Sequence, residues 1–153
     1  MPPGQPGIIK GPSVFLAGSI ELGVDIDWQT KLTSALSQLP VTIFNPRRDE
    51  WDDSWVQDVS NFQFKEQVTW ELDHLERADV IALYFHPDTK SPISLLELGL
   101  HAKENKLVVC CPAGFWRRGN VQIVCEKHGI PLVETIEELI TCTKEKLEGI
   151  VTE

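Results

Sequence analysis

No stretch of this sequence stays apolar for the ~20 residues that a membrane-spanning helix needs, so no membrane partner is expected. Met1 to Gly11 is rich in Pro and Gly and lacks the apolar stretch of a secretion signal. Residues 1–12 are read as a flexible N-terminal tail. The four cysteines, Cys110, Cys111, Cys125 and Cys142, form no CxxC pair and follow no metal-ligand spacing. Cys110 and Cys111 close an apolar run, which predicts buried free thiols and a reducing, cytoplasmic setting. Positive charge is scarce as well: 14 Lys and Arg stand against 23 Asp and Glu, a formal net charge of −9. A nucleic-acid polymer is repelled by that average field and is excluded as a partner, although local arginines can still hold a small anion. His74, His86, His101 and His128 are scattered without ligand spacing and read as ordinary surface or capping histidines. No spacing suggests a Ser-His-Asp or Cys-His arrangement, and no GxGxxG or P-loop lysine supports a dinucleotide or NTP site.

What is present is an ordinary globular composition, 42% hydrophobic and 24% charged over 153 residues, which suits one domain over residues 13–153. Short apolar runs alternate with amphipathic segments, the pattern of βαβ units around a parallel sheet. Strands are predicted at Ser13–Ala17, Val41–Phe44, Asp79–Phe85, Leu107–Cys111 and Ile130–Val133. Helices are predicted at Asp27–Leu39, Phe62–Arg77, Asn120–His128 and Ile136–Ile150. A further helix opens with Ser91 as N-cap and Pro92 at the first helical position, and runs to about Asn105. Five strands and five helices in strict alternation predict an α/β fold. It is a flavodoxin- or Rossmann-like doubly wound parallel sheet of order 2-1-3-4-5 with helices on both faces. Ligands of such sheets bind beyond the carboxyl ends of the strands, here the loops 18–26, 45–60, 86–91 and 112–119.

Several residues stand out against that frame. Glu97 lies in Ile93-Ser94-Leu95-Leu96-Glu97-Leu98-Gly99-Leu100, where an ionised carboxylate is costly unless partnered. It is either a desolvated nucleophile for an anomeric carbon, or a glutamate on a narrow solvated or ion-paired stripe. Gly99, costly inside a helix, predicts a close approach by a neighbouring element. Glu71 sits beside a predicted buried stripe of Val68, Leu72 and Leu75, and a second carboxylate is what glycoside-cleaving chemistry needs. The turn Gly18-Ser19-Ile20 offers backbone amides to a ribose hydroxyl or phosphate. The segment from Asn45 through Arg47 and Arg48 to Trp51 and Trp55 joins aromatics to arginine, which suits base stacking, self-packing or a subunit contact equally. Phe115-Trp116-Arg117-Arg118-Gly119-Asn120 repeats that chemistry.

Taken together, these stretches resemble the nucleoside 2-deoxyribosyltransferase superfamily, including its 2'-deoxynucleoside 5'-monophosphate N-glycosidase branch. The resemblance runs from Ser13 to about Asn120 and is carried by Val14-Phe15-Leu16-Ala17-Gly18-Ser19-Ile20, by Glu71 to Asp79, and by Leu96-Glu97-Leu98-Gly99. It implies Glu97 as a nucleophile that forms a covalent glycosyl intermediate. Glu71 falls where the family usually has an aspartate that helps protonate or orient the base. Ser91 matches a serine that the monophosphate branch uses near phosphate, and Asn120 a polar residue that reaches a neighbouring subunit's site. Phe15 stands where a tyrosine is common. Glu21 stands where the monophosphate branch has an arginine, whose charge Arg47, Arg48 or Arg117 would have to restore. Phe15, Gly18, Ser19, Ile20, Asn45, Arg47, Ser91 and Asn120 are therefore the expected substrate-binding residues. The pair of carboxylates is expected to have divergent pKa values, one ionised and one held as an acid. The resemblance implies no metal or organic cofactor, a small-molecule nucleoside or nucleotide as substrate, and a homodimer or higher homo-oligomer with Trp51, Trp55, Phe115 and Trp116 as exposed interface aromatics. The competing readings are a nucleotide-binding sensor without catalysis and an NAD or ADP-ribose glycosidase.

Overall fold

A computed structural model describes residues 11–18, 28–46 and 58–151. Five strands alternate with five helices along the chain: β1 Ser13–Gly18, α1 Trp28–Leu36, β2 Thr42–Phe44, α2 Phe62–Arg77, β3 Val80–Tyr84, α3 Pro92–His101, β4 Leu107–Cys110, α4 Arg118–His128, β5 Leu132–Val133 and α5 Ile136–Val151. All strand pairs are parallel, and the sheet order is β2-β1-β3-β4-β5. This is the predicted α/β doubly wound fold.

The period-2 geometry of strands explains how the sheet divides its side chains. Phe15, Ala17, Ile81, Leu83 and Val109 point to one face, where they pack with Trp70, Leu75, Leu98, Val121 and Cys125 from α2, α3 and α4. Val14, Leu16, Val80, Ala82 and Val108 point to the other, against Trp28, Leu32 and Leu36 of α1 and Leu139 and Leu147 of α5. Strands buried on both faces read as continuous apolar runs, which is why β1, β3 and β4 were legible. Among the described residues, no helix is long and apolar enough to cross a membrane.

The element ends differ from the expectations in instructive ways. α3 stops at His101, not Asn105, because Asn105 takes a left-handed φ of 57° that no helix interior accommodates. α4 begins at Arg118, two residues before the expected start, so Asn120 lies inside its first turn. β5 is only two residues long. α1 ends at Leu36 and its expected first residue, Asp27, lies outside the described residues. Ser91 does occupy the N-cap of α3, but its φ of 46° is left-handed and its hydroxyl makes no capping bond. The hydroxyl pairs with Thr89 Oγ1 at 2.6 Å instead.

β1 and β3 approach so closely at their carboxyl ends that only glycine fits there. Gly18 has a φ of +134°, and a Cβ on it would lie 2.2 Å from the Tyr84 carbonyl oxygen. Gly99 is the opposite case: among the described residues a Cβ there meets nothing within 4 Å, so none of them makes the close approach expected of it. Cys110 and Cys111 are buried free thiols, as predicted; Cys125 is buried as well and Cys142 half-buried.

Candidate active site

The strand order reverses between β1 and β3, and α2 and α3 both cover β1 on the same face of the sheet. Each of these helices carries one glutamate turned toward the other. Glu97 follows the start of α3 by five residues, about 7.5 Å along the axis. It is 8% exposed. Among the described residues, no hydrogen bond or ion pair is made by its carboxyl group. Burial pushes its pKa up to about 8, and repulsion from Glu71 adds to the rise. Glu71, on α2, is half-buried, and burial lifts it to about 7 against the lowering effect of a bond from Gln67. Gln67 Nε2 donates to Glu71 Oε1 at 3.2 Å and to the Pro46 carbonyl at 3.1 Å.

The two carboxyl groups lie within electrostatic reach of one another. Both are raised, and because they repel one another they titrate as a pair. The pair is part-protonated near neutral pH, so its singly protonated form is populated. A pair in that state contains one carboxylate and one carboxylic acid, the two forms that nucleophilic attack and leaving-group protonation require.

The surroundings of Glu71 were misread from the sequence. The buried side of α2 is Gln67, Trp70, His74 and Leu75, whereas Leu72 is exposed and Val68 half-buried. Trp70 stacks on His74 with centroids 4.0 Å apart and contacts Phe15 at 6.2 Å. His74 is fully buried and bonds the Trp70 carbonyl through Nδ1 at 2.8 Å. His86 and His101 are buried too, so three of the four histidines are interior groups rather than surface ones. His86 Nδ1 accepts from the Asp88 amide at 3.0 Å, and His101 bonds Glu104. These partners are local along the chain, which makes them structural bonds that histidine spacing alone does not reveal.

The remaining expected site residues are spread unevenly. Phe15 is fully buried in the apolar layer beneath Trp70. Gly18 ends β1 and Asn45 follows β2, both half-exposed at the carboxyl edge of the sheet. Ser91 is buried at the head of α3, while Asn120 is exposed on α4. Ser19, Ile20, Arg47, Glu21, Arg48, Trp51 and Trp55 lie outside the described residues. Of the expected interface aromatics, Phe115 is buried against Phe85 at 4.9 Å and so presents no surface. Trp116 is exposed, yet its ring is flanked by Lys90 at 4.3 Å and Arg117 at 4.4 Å, and its Nε1 donates to the Lys90 carbonyl at 2.8 Å. Trp116 thus ties the β3–α3 loop to the β4–α4 loop.

Two polar groups near the carboxylates escaped the sequence reading. Gln67 stands four residues before Glu71 and Ser94 three before Glu97, each one helical turn away and buried. Helical spacing from a suspected site residue was the available signal. Among the described residues, no group of three His, Cys, Asp or Glu side chains converges to hold a metal ion. A depression of about 310 Å³ lined by Glu137, Glu138, Thr141, Cys142 and Glu145 lies on α5, on the layer opposite Glu71 and Glu97.

The chain is thus a doubly wound α/β protein with two desolvated carboxyl groups beside the point where its strand order reverses. The family model described as "Nucleoside 2-deoxyribosyltransferase like" matches residues 11–115, and the chain belongs to that family. The fold is similar to that in a crystal structure of a conserved protein from Enterococcus faecalis V583. The TM-score is 0.62 at 13% identity, over 91% of this chain and 98% of that one. No curated protein matches the chain.

Proposed function

We propose that this protein cleaves, or transfers a sugar across, the N-glycosidic bond of a (deoxy)nucleoside or nucleoside 5'-monophosphate. The reading is carried by the Glu71–Glu97 pair: two glutamates on adjacent helices, both desolvated, coupled to each other, beside the switch point of the sheet. Membership of a deoxyribosyltransferase-like family supports the same chemistry.

Glu97 is the nucleophile and Glu71 the acid. Attack requires Glu97 ionised and Glu71 protonated, so with substrate bound the proton of the pair sits on Glu71. A Glu97 carboxylate oxygen then bonds to the anomeric carbon as the carbon–nitrogen bond breaks. The bonding pair leaves with the base, which takes the proton from Glu71. A second base or water then attacks the glycosyl ester, and Glu71 takes up the proton of that nucleophile. Gln67 fixes the Glu71 carboxyl from one side. Gly18, Ser19, Ile20, Asn45, Arg47, Ser91 and Asn120 are the proposed sugar, base and phosphate contacts, with Phe15 supporting them from the layer below. The reaction as written needs no cofactor.

The test is a panel of ribo- and deoxyribonucleosides, their 5'-monophosphates and NAD, with and without a second free base, read by chromatography. Free base or exchanged nucleoside is expected from the wild type. Glu97→Gln and Glu97→Ala are expected to lower turnover at least about a thousandfold. Nucleotide binding without turnover would sink the catalytic reading, and cleavage of NAD alone would replace the substrate.

A further inference from the structure

Gln67 is only 2% exposed and stands on α2 one helical turn before Glu71. Its Nε2 donates twice, to Glu71 Oε1 at 3.2 Å and to the Pro46 carbonyl, just beyond β2, at 3.1 Å. A backbone carbonyl can only accept, so Pro46 fixes which way the amide is turned. A flipped amide would set its own oxygen against that carbonyl, two buried acceptors with no hydrogen between them. A backbone group at the edge of the sheet thereby dictates that Glu71 is offered a donor.

That donor makes the two oxygens of the Glu71 carboxyl group unlike. Oε1 already accepts from the amide and is the carbonyl oxygen of the protonated group. Among the described residues, Oε2 has no hydrogen-bond partner. The acid proton therefore belongs on Oε2. As that proton departs, negative charge spreads to Oε1, where the bond from Gln67 becomes charge-assisted and about twice as strong. An interaction that strengthens as the reaction proceeds is the kind that lowers a barrier. Residue type matters as much as position. A Lys or Arg at 67 would hold Glu71 ionised and leave it no proton to give. A neutral amide supports the carboxylate while burial still keeps the group raised to about 7.

We propose that Gln67, clamped by the Pro46 carbonyl, is a positioning residue that confines the acid proton of Glu71 to Oε2 and steadies the carboxylate left behind. The proposal deepens the glycosidic reading and rests on it. Gln67 touches no reacting atom and acts through Glu71 alone. Its removal leaves the charged neighbours of Glu71 in place: Glu97 acts on it from α3, and His74 and Arg77 follow on α2. A change in the titration of Glu71 in a Gln67 variant therefore reports the lost amide.

The test compares leaving groups that differ in their need for a proton. The probes are deoxyguanosine and deoxyuridine, each as nucleoside and 5'-monophosphate, beside counterparts whose bases depart more readily. These are the purine methylated on its imidazole nitrogen, which leaves as a neutral base, and the ring-fluorinated pyrimidine, whose anion is better stabilised. Gln67→Met, close in length and without a donor, is expected to lower kcat for a parent compound at least about tenfold with KM within about twofold. The matching counterpart should lose at most about threefold. In the substrate-free protein, carbon-13 NMR should show Glu71 titrating about 0.5–1 pH unit higher in the variant, the size of one lost neutral hydrogen bond. Gln67→Asn keeps an amide that is one methylene too short to span both acceptors, so it should behave alike and covers a Met variant that fails to fold. Equal losses for parent and counterpart, or an unmoved Glu71 titration, would overturn the role of Gln67 and leave the glycosidic reading standing. A wild type that cleaves none of the probes while Glu71 still shifts would instead sink that reading, and the acid role of the pair with it.

Discussion

Glu97 combines two costs that a structural residue would not carry together: it is buried, and it faces another carboxyl group. Its folded-state pKa near 8 lies above the unfolded value near 4.5, so the folded chain holds a proton that the unfolded chain has released between those limits. Stability from this group is complete below about pH 4.5 and is lost as the pH rises through about 8. Glu97→Gln keeps the shape and removes the ionisation. That variant should exceed the wild type by roughly 3 kcal/mol near pH 8, and the gap should close toward pH 5. Urea unfolding at the two pH values checks this, and a variant equal to wild type at both would mean that Glu97 is not desolvated. Gly18 is the other residue whose identity is dictated. Gly18→Ala drives a methyl into the Tyr84 carbonyl and keeps a backbone that L-residues avoid, so it should cost at least ~3 kcal/mol. An unchanged urea midpoint would refute that close strand contact.

At the scale of elements, α2 is held at both ends by side chains, and those ends position Glu71. Asn61 Oδ1 accepts from the Phe64 amide at 3.0 Å at its start. At its close, Lys106 Nζ donates to the carbonyls of Leu75 at 2.6 Å and of Glu76 and Ala78 at 3.1 Å each. A cation on the last carbonyls also meets the negative end of the helix. Lys106→Met removes all three bonds and should lower stability by about 1–2 kcal/mol, read as a lower thermal midpoint with unchanged helical content at 25 °C. No change would assign that ammonium to solvent. The span of α2, Phe62–Arg77, and the apolar run of β3 were legible in the sequence. The inward side of α2 was not. Helical periodicity pointed to Leu72 as buried, whereas tertiary packing selected Trp70 and His74, whose stacked rings fill the layer over Phe15 and Phe44.

For the molecule as a whole, two apolar layers enclose the sheet, and the thiols record this. Burial pushes Cys110 up to about 12 and Cys111 and Cys125 up to about 11, so neither access nor thiolate formation favours reaction. Ellman's reagent on the native protein should label at most Cys142 within minutes, and all four cysteines in guanidinium. Rapid labelling of three or four thiols without denaturant would contradict the double-layer core.

The sequence by itself determined the parallel sheet, its order, and the family, because strands buried on both sides and the local motifs around Gly18 and Glu97 are written in neighbouring residues. It also singled out Glu97 and Glu71 as unusual carboxylates. Only the tertiary structure decided that they face each other with both pKa values raised, that Trp116 is occupied by Lys90 and Arg117, and that α3 turns its polar side inward. Those outcomes depend on which faces of separate elements meet, and periodicity, being a property of one element at a time, carries no record of that choice.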